Sequence, residues 1–121
     1  MGQNLSEPVT AKETSSCRND ELYVGSSSMQ GWRVTMEDAH THLLDLSPLD
    51  PDASFFAVYD GHGGNRVALY ASNNLHKRIL SQESYQSGDI VEGIKRGFLD
   101  LDRDMLNDGQ MKYVVSGWFQ F

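Results

Sequence analysis

The 121-residue sequence predicts an α+β fold, and three observations predict it. Strand-like runs occupy the first half, the run SFFAVYD at 54–60 is continuously apolar, and two stripes with apolar residues every three or four positions follow it. The length suits one small domain with a real but modest core.

Residues 1–21 carry Ser6, Pro8, Thr10, Thr14, Ser15 and Ser16 among scattered charges, with no period, which predicts a flexible N-terminal arm. Order is expected to begin near Leu22. LYVGSSS at 22–28 reads as a first strand and Ala39 to Leu46 as a second, with Leu44 and Leu46 on one face. SPLDPD at 47–52 holds two of the three prolines and is turn chemistry. Phe55, Phe56, Ala57, Val58 and Tyr59 then form a run without alternation, which predicts a strand covered on both faces.

Val67, Ala71, Leu75 and Ile79, widened by Ala68 and Leu80, recur at helical spacing and predict an amphipathic helix ending before the polar stretch SQESYQSG. Asp89 is placed as the N-cap of a second helix, with Glu92 three residues on and the stripe Ile90, Ile94, Phe98, Leu101 and Met105. Gly93 and Gly97 each weaken that helix by about 1 kcal/mol relative to alanine unless something packs closely against them. KYVVSG at 112–117 reads as a further strand, and there is no internal repeat.

Seventeen acidic against ten basic residues give a net charge of -7, which argues against a nucleic-acid partner. The same balance suits a cation site and, equally, plain solubility. A single cysteine, Cys17, permits no intrachain disulfide and points to a reducing, cytoplasmic setting. No apolar run approaches the roughly 18 residues of a membrane-spanning helix. MGQNLS fits the N-myristoylation pattern, with Gly2 as acceptor and Ser6 four positions later. One such chain gives weak, reversible membrane contact, and no polybasic patch accompanies it.

The chemistry concentrates in SMQGWRVTMEDAH at 28–40 and YDGHGG at 59–64. Asp60 closes an apolar strand beside backbone with few side chains, and Gly61 leaves a carbonyl approachable. Carboxylate and carbonyl oxygens suit Mg²⁺ or Mn²⁺, and a metal pair roughly 3.5–4 Å apart activates a water for displacement at phosphorus. Arg33 suits forked binding of phosphate oxygens, and His62 suits proton donation to a leaving oxygen. Plainer readings stand beside these. Arg33 with Glu37 is also a plausible surface ion pair, and a lone His62 is commonly just a loop residue. The glycines lack phosphate-loop spacing, and His40 with His42 makes a weak zinc candidate without partner ligands.

Taken together, SMQGWRVTMEDAH and FFAVYDGHGG resemble the first two signature blocks of the metal-dependent protein serine/threonine phosphatases of type 2C, the PPM family. The likeness runs over about residues 22–106 and includes GFLDLD at 97–102. It implies the N-terminal portion of a four-layer fold, an antiparallel β-sandwich flanked by helices, with a two-ion Mg²⁺ or Mn²⁺ site at one end and phosphoproteins as substrates. By position, Asp60 is similar to the bridging metal ligand and Gly61 to the backbone-carbonyl ligand. Glu37 and Asp38 resemble the acidic pair that holds metal-bound waters, Arg33 the phosphate-binding arginine and His62 the general acid. Some members are N-myristoylated, which strengthens the reading of Gly2 and adds membrane-associated or nuclear placement to the cytoplasmic one.

The chain also departs from the family pattern. Family domains are longer, and after Ser116 and Gly117 the residues Trp118, Phe119, Gln120 and Phe121 do not continue the next signature. Residues 22–117 therefore read as a partial domain and 118–121 as a divergent tail. Later metal-binding aspartates have no counterpart, and Asp100, Asp102 and Asp104 are poor substitutes because alternating helix positions point apart. The expected activity is metal-dependent hydrolysis of phosphoserine and phosphothreonine; the alternative is an inactive, lipid-anchored binding or regulatory chain.

Overall fold

Antiparallel pairing and one helical interface build the domain in the order β1 (Asn4–Arg18), β2 (Tyr23–Arg33), β3 (Ala39–Leu43), β4 (Phe55–Tyr59), α1 (Arg66–Leu80), α2 (Glu83–Gln86) and α3 (Ile90–Asn107). The computed structural model describes residues 4–111, apart from the side chain of Asn4. Gly2, the strand expected at 112–117 and the tail at 118–121 lie outside the described residues.

The expected N-terminal arm is instead a strand over most of its length. β1 and β2 form an antiparallel hairpin with Thr14 opposite Ser27 and Ser15 opposite Ser26, and both pairs join their hydroxyls, at 3.0 and 2.8 Å. Apolar alternation is missing because polar cross-strand pairs hold this ladder. The Asn19 side chain turns the hairpin, its carbonyl oxygen accepting from the backbone N–H groups of Glu21 and Leu22 at 2.9 and 2.7 Å. β2 runs on past Ser28 to Arg33, which places that arginine at a strand end.

β3 and β4 make a second two-stranded antiparallel sheet, with Ala39 opposite Tyr59 and Leu43 opposite Phe55. β3 stops at Leu43, before the expected end, because Leu46 bridges Asp50 across the turn that the prolines predict. One face of this sheet meets α1, where the Thr41 hydroxyl donates to the Ser72 carbonyl at 2.6 Å. The other face carries Phe56 and Val58, 47% and 79% exposed, so β4 is covered on one face and not on both. Its apolar run hides an ordinary strand alternation, with the half-buried side packed toward the core.

The core lies between α1 and α3, with Val67, Leu75, Ile79, Leu101, Met105 and Met111 buried together and Phe55, Tyr59 and Tyr85 packed against them. Asp89 caps α3, its carboxylate accepting from the Glu92 N–H at 3.2 Å. The return half of a capping box is replaced by a Glu92–Arg96 ion pair at 2.9 Å. Gly93 and Gly97 are buried, whereas Ile90, Ile94 and Phe98 of the expected stripe are exposed. The stripe turns because the glycines admit close neighbours: a Cβ at Gly97 would lie 2.8 Å from the Ile79 Cα, and one at Gly93 3.0 Å from the Tyr85 Cα. α2 occupies the polar stretch that follows α1 and supplies that Tyr85.

Candidate active site

The β3–β4 ladder positions the acidic residues. Its register, Ala39 against Tyr59, continued one step brings Asp38 and Asp60 to the same end of the sheet. One step further sets Glu37 against Gly61, and a side chain on Gly61 would strike the Glu37 carbonyl. Glycine at 61 is thus a steric requirement of the crossing, not only a matter of turn flexibility. Gly63 and Gly64, with φ of 70° and 112°, then turn the chain toward α1.

Arg33, Glu37, Asp38, Asp60 and Gly61 all line one cleft of about 180 Å³, together with Gln30 and Thr35. Three stretches converge there: the end of β2, the link into β3, and the residues just after β4. His62 follows at an exposed position and is not among the residues lining the cleft. Arg33 does not pair with Glu37, whose Oε1 instead accepts from the Thr35 hydroxyl at 2.9 Å and the Gly64 N–H at 3.2 Å. The arginine is left exposed at the cleft edge, where an anion can reach it.

Two positioning residues escaped the sequence reading. Thr35 orients the Glu37 carboxylate, and the Gln30 side-chain amide donates to the carbonyls of Arg33 and Val34 at 2.8 and 3.0 Å, closing the loop that carries the arginine. The Thr-x-Glu spacing was the available signal for the first; the second leaves none in the sequence.

The donor chemistry suits a hard cation in part. Hard carboxylate oxygens and a crowded glycine backbone meet at one cleft, yet among the described residues no three His, Cys, Asp or Glu side chains gather closely enough to hold a metal ion. Asp100 and Asp104 are engaged elsewhere, Asp100 accepting from the Gln82 amide at 2.8 Å and Asp104 paired with Arg78 at 2.5 Å. His40 and His42 bond to serine and cysteine side chains and not to a third ligand-type cluster.

An acidic cleft at the end of an antiparallel sheet, rimmed by an arginine, sits in a domain of the α+β class. The family model for protein phosphatase 2C matches residues 22–117, and the chain belongs to that family. Among its relatives, a probable protein phosphatase 2C of Caenorhabditis elegans is 58% identical over 97% of this chain and 33% of its own length. Protein phosphatase 2C homolog 2 of Hypocrea jecorina is 51% identical over 97% of this chain and 28% of its own. Homolog 3 of Schizosaccharomyces pombe is 44% identical over 97% and 29%. The chain thus spans about a third of the length of the curated relatives it matches.

Proposed function

We propose that this chain carries the phosphate-gripping side, and part of the metal-holding side, of a protein serine/threonine phosphatase site that works with Mg²⁺ or Mn²⁺. The observation that supports the reading most is the convergence of Arg33, Glu37, Asp38, Asp60 and Gly61 on one cleft. Asp60 and the Gly61 carbonyl would hold the cations, and Glu37 and Asp38 their waters; the ions supply an activated water and neutralise charge at phosphorus. Arg33 grips the phosphate oxygens of a phosphoserine or phosphothreonine side chain on a phosphoprotein substrate. His62 gives its proton to the departing serine or threonine oxygen.

The remaining cation ligands come from outside the described residues. This favours a second reading for the 121-residue chain on its own, a binding or regulatory module without turnover, since the grouped donors fall short of a metal site. Acylation at Gly2 rests on the Met-Gly-x-x-x-Ser pattern, and cytoplasmic placement, with membrane association or nuclear entry as variants, rests on the lone cysteine and that pattern.

Titration of Mn²⁺ into the chain, followed by the resonance signal of the free ion, tests the assignment. Weak binding is expected, reduced at least about tenfold by Asp60→Asn, because the substitution removes the charge that a hard cation needs. Equal binding by both chains would remove Asp60 from the site.

A further inference from the structure

α3 carries a second apolar face, turned away from the core. Val91, Ile94, Phe98, Leu99 and Leu106 recur at helical spacing and share one side of the helix. Each is between 39% and 65% exposed, whereas Gly93, Gly97, Leu101 and Met105 form the side that packs on α1, α2 and the core. An apolar stripe of this kind on a surface marks a contact site. It takes no part in the acidic cleft, which α3 does not line.

Two charged residues, Lys95 and Asp102, lie within the stripe, four and eleven residues after Val91. Neither enters an ion pair among the described residues, while the charges around them on the helix are paired: Glu92 with Arg96, Asp100 with Arg103 and Asp104 with Arg78. Their placement is symmetric about the middle of the stripe. Lys95 stands three residues before Phe98 and Asp102 three residues after Leu99; Val91 stands seven before Phe98 and Leu106 seven after Leu99. A two-fold axis between Phe98 and Leu99 therefore sets two copies of α3 antiparallel, with Lys95 of each copy facing Asp102 of the other and Val91 facing Leu106. Parallel copies in register would instead stack Lys95 on Lys95 and Asp102 on Asp102. Self-complementarity of this sort is what an isologous interface requires, and a partner of unrelated sequence would not need it.

We propose that the outer face of α3 is a homodimer interface, whose occupant is α3 of a second copy of this chain in antiparallel register. Phe98 and Leu99 form its centre, and two Lys95–Asp102 pairs fix its register. The 18-residue helix is about 27 Å long, so the contact is small among protein interfaces, and association is expected at about 10–100 µM.

Sedimentation of the full chain across that concentration range tests the proposal, in about 0.15 M salt, where repulsion between two chains of charge -7 is screened beyond about 8 Å. A monomer–dimer equilibrium is expected. Lys95→Glu and Asp102→Lys should each weaken it about tenfold, because either places like charges opposite one another twice per dimer. The two substitutions shift net charge in opposite directions, so loss in both separates the pairing from overall repulsion. Lys95→Glu with Asp102→Lys restores the pairs with their signs exchanged and should bring association back to within about threefold of the parent. Phe98→Glu should abolish it. Helical circular dichroism checks the fold of each variant, and if one single reversal fails to fold, the other and the double variant carry the comparison. A chain that stays monomeric, a dimer indifferent to both reversals, or a double variant as weak as the singles would overturn the proposal.

Discussion

Gly97 tests whether α1 and α3 meet as closely as the core requires. In an isolated helix interior, Gly97→Ala would stabilise by about 1 kcal/mol, through lower chain entropy in the unfolded state. Here the new Cβ would lie 2.8 Å from the Cα and 2.9 Å from the N of Ile79, where ordinary contact is 3.4–4 Å. Those atoms are backbone and cannot rotate aside, so the helices must part by about 0.6 Å, the difference between 3.4 and 2.8 Å. A gap of that size forfeits a quarter or more of each dispersion contact across Val67, Leu75, Ile79, Leu101 and Met105. Overpacking of this kind costs about 2–3 kcal/mol and leaves a net loss of about 1–2 kcal/mol after the helix gain. Urea unfolding followed by helical circular dichroism measures it, with Gly109→Ala as the control, because nothing lies within 4 Å of a Cβ there. The control should change stability by less than about 0.5 kcal/mol. A Gly97→Ala chain more stable than the parent would refute the close helix approach.

Asp89→Ala should cost about 1 kcal/mol in the same assay by removing the cap of α3. The Tyr85 hydroxyl donates to the Asp50 carboxylate at 2.5 Å, and that bond pushes its pKa up to about 12 from 10.0. The protonated phenol is favoured in the folded chain, so its contribution is full below pH about 10 and is lost as pH rises to about 12. The difference in stability between the parent and Tyr85→Phe should therefore shrink across that interval and be constant below it. Gly61→Ala should weaken Mn²⁺ binding at least about as much as Asp60→Asn does, because its Cβ would strike the Glu37 carbonyl and force the two sides of the cleft apart.

The site was more legible in the sequence than the fold around it. Asp60 and Gly61 stood out because a charge beside glycines at a strand end breaks the pattern of a core, whereas Arg33, Glu37 and Asp38 took their reading chiefly from the family resemblance; one cleft gathers these five but not His62. β1 was illegible for the opposite reason: Thr14, Ser15, Ser26 and Ser27 pair through hydroxyls, which leaves no apolar alternation to detect. The face of α3 was legible in part: Leu101 and Met105 are buried as the stripe expects, but Gly93 and Gly97, which carry no hydrophobic signal, complete the contact surface while Ile90, Ile94 and Phe98 are exposed. α1 was plain, since Val67, Leu75 and Ile79 combine helical spacing with real burial. The roles of Thr35 and Gln30 depend on side-chain bonds across a loop, and these become visible only once the loop is folded.

Hydrolysis of a small aryl phosphate by the purified chain with millimolar Mn²⁺, beside chelator and Asp60→Asn controls, tests the central claim most directly. The account predicts Mn²⁺ binding that depends on Asp60 and no chelator-sensitive turnover by a chain shown to be folded, since among the described residues no three His, Cys, Asp or Glu side chains gather to hold a metal ion. Turnover abolished by both controls would contradict it, because the chain would then complete the site by itself.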